Sequence, residues 1–195
     1  MEIAPVTLTG SVVRLEPLSE QHVPDLTVAA HDERIWRYML YVYPENEEKM
    51  LAWVRDILAC QAAGTDLAFA VIHCASGRAI GATRYLEIRL PHRSLEVGGT
   101  WYATEFQRTA VNIECKYLLL KHAFEVLGCI RVQFKADARN LHSIRAIERL
   151  GAAREGVLRN HYILPDGGYR DSVYFSILGR EWAGVRARME GLLAG

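Results

Sequence analysis

Apolar residues recur along the chain with two periods, and the switches between them mark its elements. Ser11 to Leu18 alternates Val13 and Leu15 against Arg14 and Glu16, which predicts a first strand. Ser19 then offers a helix N-cap, with His22 three residues on in place of the glutamate of a capping box, and a helical stretch follows to about Ala30. Asn46 caps a longer helix, Glu47 to Ala63, which is acidic in its first turn and stopped by Gly64. Leu67 to Cys74 reads as an apolar strand, turned by Ala75-Ser76-Gly77 into a second strand, Ala79 to Arg89. A break at Pro91 to Ser94 separates that strand from Leu95 to Ala103.

The second half is sharper. Apolar positions 113, 117, 120, 124 and 127, opposite Glu114, Lys121 and Glu125, predict an amphipathic helix over Ile113 to Leu127, closed by Gly128. Ile130 to Ala136 alternates as a strand. Asn140 starts a short helix with Leu141, Ile144, Ile147 and Leu150 on one face, and Gly151 ends it. Val157 to Leu164 and Tyr169 to Leu178 flank the turn Pro165-Asp166-Gly167-Gly168, and Arg180 to Leu193 is a last helix. The order predicts an α/β fold: a mixed sheet with helices on its faces. With no repeat, low-complexity tract or linker in 195 residues, residues 1–195 read as one domain.

Composition narrows the function classes. The 23 basic residues equal the 23 acidic ones, which argues against a nucleic-acid binder working through bulk positive charge. Between Glu105 and Arg159, however, ten basic residues face six acidic ones, an excess that suits a ligand carrying a few phosphates. Cys60, Cys74, Cys115 and Cys129 form no CxxC pair and read as reduced, mostly buried thiols. No histidine spacing suggests a metal site, and the longest apolar run, Leu67 to Ile72, is far short of a membrane span. A soluble cytoplasmic protein is expected, and a homodimer is the common outcome at this size.

The chemistry-bearing segment is Leu95 to Leu127. A strand that runs into a helix leaves free backbone N–H groups at the helix N-terminus, an anion site suited above all to phosphate. Gly98-Gly99 within the strand marks a bulge, which would splay the strand from its neighbour and open a cleft there. The alternative is that the glycines only relieve packing and the turn binds nothing.

Four stretches carry a family resemblance that covers nearly the whole chain: LTGSVVRLEPLSEQHVPDL, QRTAVNIECKYLLLKHAFEVLG, RNLHSIRAIERLGAAREGVLRN and DGGYRDSVYFSILGREW. The most specific part is N-x-x-S-x-x-A-x-x-x-L-G from Asn140 to Gly151, followed by EGVLRN. In these segments the sequence resembles the GCN5-related N-acetyltransferase (GNAT) superfamily, and within it the branch that acetylates ribosomal-protein N-termini. The resemblance implies a central twisted, mostly antiparallel sheet with a splayed strand pair. It further implies acetyl transfer from acetyl-CoA to a primary amine, with no metal, no nucleic acid and no membrane as partner. The family's pyrophosphate loop, Q/R-x-x-G-x-G/A, matches Gln107-Arg108-Thr109-Ala110-Val111-Asn112, with Ala110 in place of the first glycine and Asn112 in place of the final glycine or alanine. Alanine is tolerable there if its φ stays negative.

By the same resemblance, Glu96 is the expected catalytic carboxylate, acting on the amine through water, and Ser143 the hydroxyl beside the departing thiolate. Asn140 would hydrogen-bond coenzyme A, a role that competes with its N-cap position. The backbone amides of Trp101 and Tyr102 would pair with the pantetheine arm and polarise the thioester carbonyl. Trp36, Tyr38, Tyr41 and Tyr43 form either an aromatic wall of the acceptor pocket or simple core packing. Arg159 and Asp171 read as a structural ion pair, and His142 and His161 as surface or hydrogen-bonded histidines. Cys115 lies on an apolar helix face with no paired histidine evident, which disfavours an acyl-cysteine route. A coenzyme-A-binding module with little turnover, or a larger acyl donor such as succinyl-CoA, remains open beside the acetyltransferase.

Overall fold

The computed structural model describes residues 1–194. Eight strands form one sheet: β1 (Leu8–Thr9), β2 (Val13–Pro17), β3 (Leu67–His73), β4 (Ala79–Arg89), β5 (Ser94–Tyr102), β6 (Arg131–Asp137), β7 (Ala153–Ile163) and β8 (Tyr169–Leu178). The order across the sheet is β1-β2-β3-β4-β5-β6-β8-β7. Every neighbouring pair is antiparallel except β5 and β6.

Five helices cover the sheet: α1 (Val23–Ala29), α2 (Glu47–Ala62), α3 (Ala110–Lys121), α4 (Leu141–Leu150) and α5 (Trp182–Ala194). The sheet is therefore lined by two apolar clusters. On one face Val111, Leu119, Ile144, Ile147, Val185 and Met189 of α3, α4 and α5 meet Leu95, Val97, Val132, Phe134 and Phe175. On the other, Leu26, Met50, Trp53 and Ile57 of α1 and α2 meet Ala68, Ala70, Ile72 and Ala82. This is the GNAT-type mixed fold the sequence predicts.

The helix boundaries follow the caps. Asn46 Oδ1 accepts from the Lys49 amide at 2.9 Å, and Gly151 closes α4 with a left-handed φ of 101°. At Ser19 the chain first makes a short 3₁₀ turn, Glu20–His22, and His22 Nδ1 takes the glutamate's part by accepting from the Ser19 amide at 3.1 Å. Helix α3 begins at Ala110 rather than Ile113, because Thr109 is extended and its Oγ1 accepts from the Val111 amide. It runs on through a π-helical turn, His122–Val126. Two of the thiols are exposed, Cys60 and Cys74, and two are buried, Cys115 and Cys129, so burial holds for half of them.

Candidate active site

The bulge expected at Gly98-Gly99 is present. Arg84 pairs with Gly98 and Ala82 with Trp101, so Gly99 and Thr100 face the single residue Thr83. Gly99 has φ +56°, and a Cβ there would lie 2.6 Å from Arg84 Nε, so both conformation and space call for glycine. The extra residue reverses the alternation of β5. Leu95 and Val97 point to the α3 side, and so does Tyr102, whereas Trp101 and Ala103 point to the α1–α2 side.

Just before the bulge the sheet forks. Strands β5 and β6 pair only at Ser94↔Arg131, Leu95↔Val132 and Glu96↔Gln133, after which both continue without a shared ladder. Because they run parallel, their C-terminal ends point the same way. The helices that follow them, α3 and α4, therefore open their N-termini at the same end of the sheet, on either side of the fork. Two sets of backbone N–H groups and two positive dipole ends meet there.

At the α3 side Arg108 adopts a left-handed φ of 62°, an uncommon conformation for a residue with a Cβ. Ala110 and Asn112 lie within the first turn of the helix, and neither has positive φ, so both departures from the family loop are accommodated. Gln107 Nε2 donates to Tyr102 O at 3.2 Å and the Tyr102 hydroxyl donates to Asn112 Oδ1 at 3.3 Å, tying the loop to the end of β5. Asp32, Arg34, Ile35, Thr104, Gln107 and Arg108 line a pocket of about 340 Å³ beside it. Within that pocket the Asp32 carboxylate holds Arg34 at 2.7 Å and accepts from Thr104 Oγ1 at 2.9 Å.

The expectation for Trp101 changes. The Ala103 amide donates to Ile80 O at 2.8 Å, so by ladder alternation the Trp101 amide also faces β4, and the Tyr102 amide faces the fork. The Trp101 indole instead joins the α1–α2 core, 5.1 Å from Trp36 and 6.0 Å from Trp53 between ring centroids. Trp36 is thus core, while Tyr38 reaches the open face through its carbonyl, which accepts from Arg170 Nη1 at 3.2 Å.

At the α4 side Asn140 Oδ1 accepts from the Ser143 amide at 3.0 Å, so that oxygen is committed to the cap. Ser143 sits half-buried in the first helical turn.

Glu96 is 1% exposed at the point of the fork. Gln133 Nε2 donates to its Oε2 at 3.0 Å, and Lys135 Nζ lies 3.3 Å from Oε1. Burial works against the Lys135 charge, but the Glu96 carboxylate and the Tyr162 hydroxyl outweigh it and hold the ammonium above the ordinary lysine range. Sequence reading did not single out Gln133 and Lys135. Their alternation against Val132, Phe134 and Ala136 was visible, but their meeting with Glu96 depends on a parallel register between strands separated by a helix. Arg159 and Asp171 form no ion pair among the described residues; Asp171 Oδ1 accepts from the Asn160 amide at 2.7 Å.

A model of the acetyltransferase (GNAT) domain matches residues 13–153. The chain belongs to the GNAT acetyltransferase family. Its fold superposes on a GCN5-related N-acetyltransferase from Brucella melitensis with a TM-score of 0.92, at 28% identity, over 98% of this chain and 86% of that one. A "putative acetyltransferase from T. thermophilus" is similar at TM-score 0.90 and 39% identity, over 99% of this chain and 100% of that chain. Among curated proteins, the "Putative ribosomal N-acetyltransferase YdaF" of Bacillus subtilis (strain 168) is 36% identical over 95 residues, 49% of this chain. The match spans about half of that relative's length, 51%. Members of the family carry out acyl transfer from acetyl-CoA. Among the described residues no cluster of His, Cys, Asp and Glu is set to hold a metal ion, and no helix is long and apolar enough to cross a membrane.

Proposed function

We propose that this protein moves an acetyl group from acetyl-CoA to a primary amine by direct attack within a ternary complex. The observation that carries the reading is the fork between β5 and β6 with the N-termini of α3 and α4 on either side of it. Backbone amides of Gln107, Arg108, Thr109, Ala110, Val111 and Asn112 take the pyrophosphate, and the Tyr102 amide takes the place of the missing strand partner along the pantetheine arm. Asn140 offers its side-chain NH₂ to coenzyme A while its oxygen caps α4. The Ser143 hydroxyl donates to the departing thiolate.

Glu96 is the carboxylate that draws the acceptor's ammonium to the fork. Direct attack is favoured over an acyl-cysteine route because burial pushes the Cys115 thiol up to about 11, leaving almost no thiolate near neutrality. The name of the Bacillus subtilis relative puts a ribosomal-protein amine first among acceptors, ahead of small amines. A cytoplasmic homodimer goes with this reading, and sedimentation velocity checks the dimer.

The test is thiol release from acetyl-CoA with a panel of amines: a peptide with a free α-amino group, spermidine and kanamycin. Amine-dependent release supports the enzyme. Saturable coenzyme A binding with no release from any amine would make the protein a binding module, and faster release from succinyl-CoA than from acetyl-CoA would change the donor.

A further inference from the structure

Strand β7 breaks its alternation at two places, first between Arg154 and Gly156 and again between Leu158 and Tyr162. Leu158 pairs with Ser172 and Tyr162 with Arg170, so Arg159, Asn160 and His161 together face the single residue Asp171. Asn160 takes a left-handed φ of 48°, and its amide is pinned to the Asp171 carboxylate. In an uninterrupted strand, residues 161 and 162 would point to opposite faces. Here the bulge brings both rings to one side, their centroids 4.0 Å apart, with the Tyr174 ring 5.6 Å from His161. Both tyrosines lie against the Lys135 ammonium, at 4.9 and 5.9 Å, so His161 is aimed at the corner where Lys135 meets Glu96.

The neighbouring charged groups in that corner are engaged. Glu96 is held by Gln133 and Lys135, Lys135 also donates to the Tyr162 hydroxyl at 2.9 Å, and Arg170 donates to Ser172 and to the Tyr38 carbonyl. His161 Nδ1 is buried and has no hydrogen-bond partner. A buried polar atom left bare costs free energy, and its persistence beside a cleft marks the place a ligand's donor would fill.

We propose that His161 is the proton acceptor for the incoming amine, with Nδ1 taking the proton from the acceptor's ammonium while Glu96 keeps its contact with Lys135. This rests on the acetyl-transfer reading above. One proton passes from the ammonium to Nδ1. The freed nitrogen lone pair forms the bond to the thioester carbonyl carbon and the carbon–sulfur bond breaks. The departing sulfur ends with the second proton shed by that nitrogen, and the imidazolium returns its own to solvent. The groups around the ring are Lys135 from β6, Arg170 and Tyr174 from β8, Tyr162 from β7, Glu96 from β5 and Glu87 from β4. Burial, then Lys135 and Arg170, lower its pKa below the ordinary 6.5, against a smaller opposing pull from Glu96 and Glu87, so the ring is neutral at pH 7 and free to accept.

The experiment measures kcat/KM for thiol release against pH, with acetyl-CoA and the best amine of the panel, for wild type, His161→Gln and Glu96→Gln. Wild type shows a limb that rises through the imidazole pKa, below 6.5. In His161→Gln that limb is gone, the rate near neutrality falls roughly 100-fold, and the deficit closes at high pH as the amine deprotonates unaided. Glu96→Gln keeps the limb at a lower rate. A second readout needs no turnover: ¹⁵N shifts of the imidazoles in the free protein, with His161→Gln assigning the resonance, place the proton on Nε2 and leave Nδ1 bare. An unchanged limb in His161→Gln, a uniform drop at all pH values, loss of the limb in Glu96→Gln instead, or a protonated Nδ1 at pH 7 would each overturn the proposal. Wild-type protein that releases no thiol with any amine would sink the acetyl-transfer reading itself, and this inference with it.

Discussion

Ser143 and Lys116 are two polar residues near the fork whose removal has opposite consequences. Ser143 sits in the first turn of α4, where its amide serves the Asn140 cap, and its hydroxyl is the proposed partner of the departing thiolate. Ser143→Ala is expected to lower kcat by about 100-fold while leaving coenzyme A affinity nearly unchanged, since only the leaving group's partner is lost. Steady-state kinetics beside calorimetry separates the two; an unchanged kcat removes the residue from the mechanism. Lys116 lies beneath the bulge, buried, donating to Thr100 Oγ1, and burial lowers its pKa from 10.5 to about 8. Between those values the unfolded chain holds more protons than the folded one, so stability should rise as pH climbs from about 8 towards 10.5. Below about 8 the burial penalty is present in full. Denaturant melts should show that rise, of about 3 kcal/mol at most, in wild type and not in Lys116→Met. Parallel pH profiles in both proteins would mean the ammonium is solvated in the folded state.

At the scale of elements, the bulge in β5 sets the geometry of the cleft, and it was legible because two adjacent glycines in a strand have few other uses. Gly99→Ala forces an L-residue into a left-handed conformation and drives a methyl into Arg84. The expected cost is about 1–2 kcal/mol, with weaker acetyl-CoA binding as the fork relaxes. Thermal melts and calorimetry check both, and a variant of wild-type stability and affinity would show that the bulge does not depend on Gly99. The caps at Asn46 and Asn140 and the stop at Gly151 were legible for the same local reason: each uses the chemistry of one residue. Elements that depend on distant partners were not. Strand β1 is two residues long and exists only because β2 is beside it. Strand β7 starts at Ala153, four residues before Val157, because its first residues are exposed on an edge and carry no apolar alternation. Its second bulge hid His161, which reads in sequence as a surface or hydrogen-bonded histidine until Asn160 turns left-handed.

Across the whole molecule, the chain builds two cores on the two faces of one sheet and leaves the forked region between them for function. Helices α1 and α2 cover the sheet on one face from β2 to the end of β5, and the polar row of Gln133, Lys135 and Arg170 continues that face where they end. That polar row was visible in sequence as alternation, but its partnership with Glu96 required the β5–β6 register. The balanced overall charge and the local basic excess around α3 and α4 agree with a ligand that brings a few phosphates to one end of the sheet. The central claim, that this end holds acetyl-CoA despite Ala110 and Asn112, is tested most directly by calorimetric titration of the protein with acetyl-CoA. The account predicts saturable binding at one site per chain, weakened by added salt as phosphate contacts are screened. Titrations that show no binding heat across a range of temperatures, with no rise in melting temperature at millimolar acetyl-CoA, would contradict it.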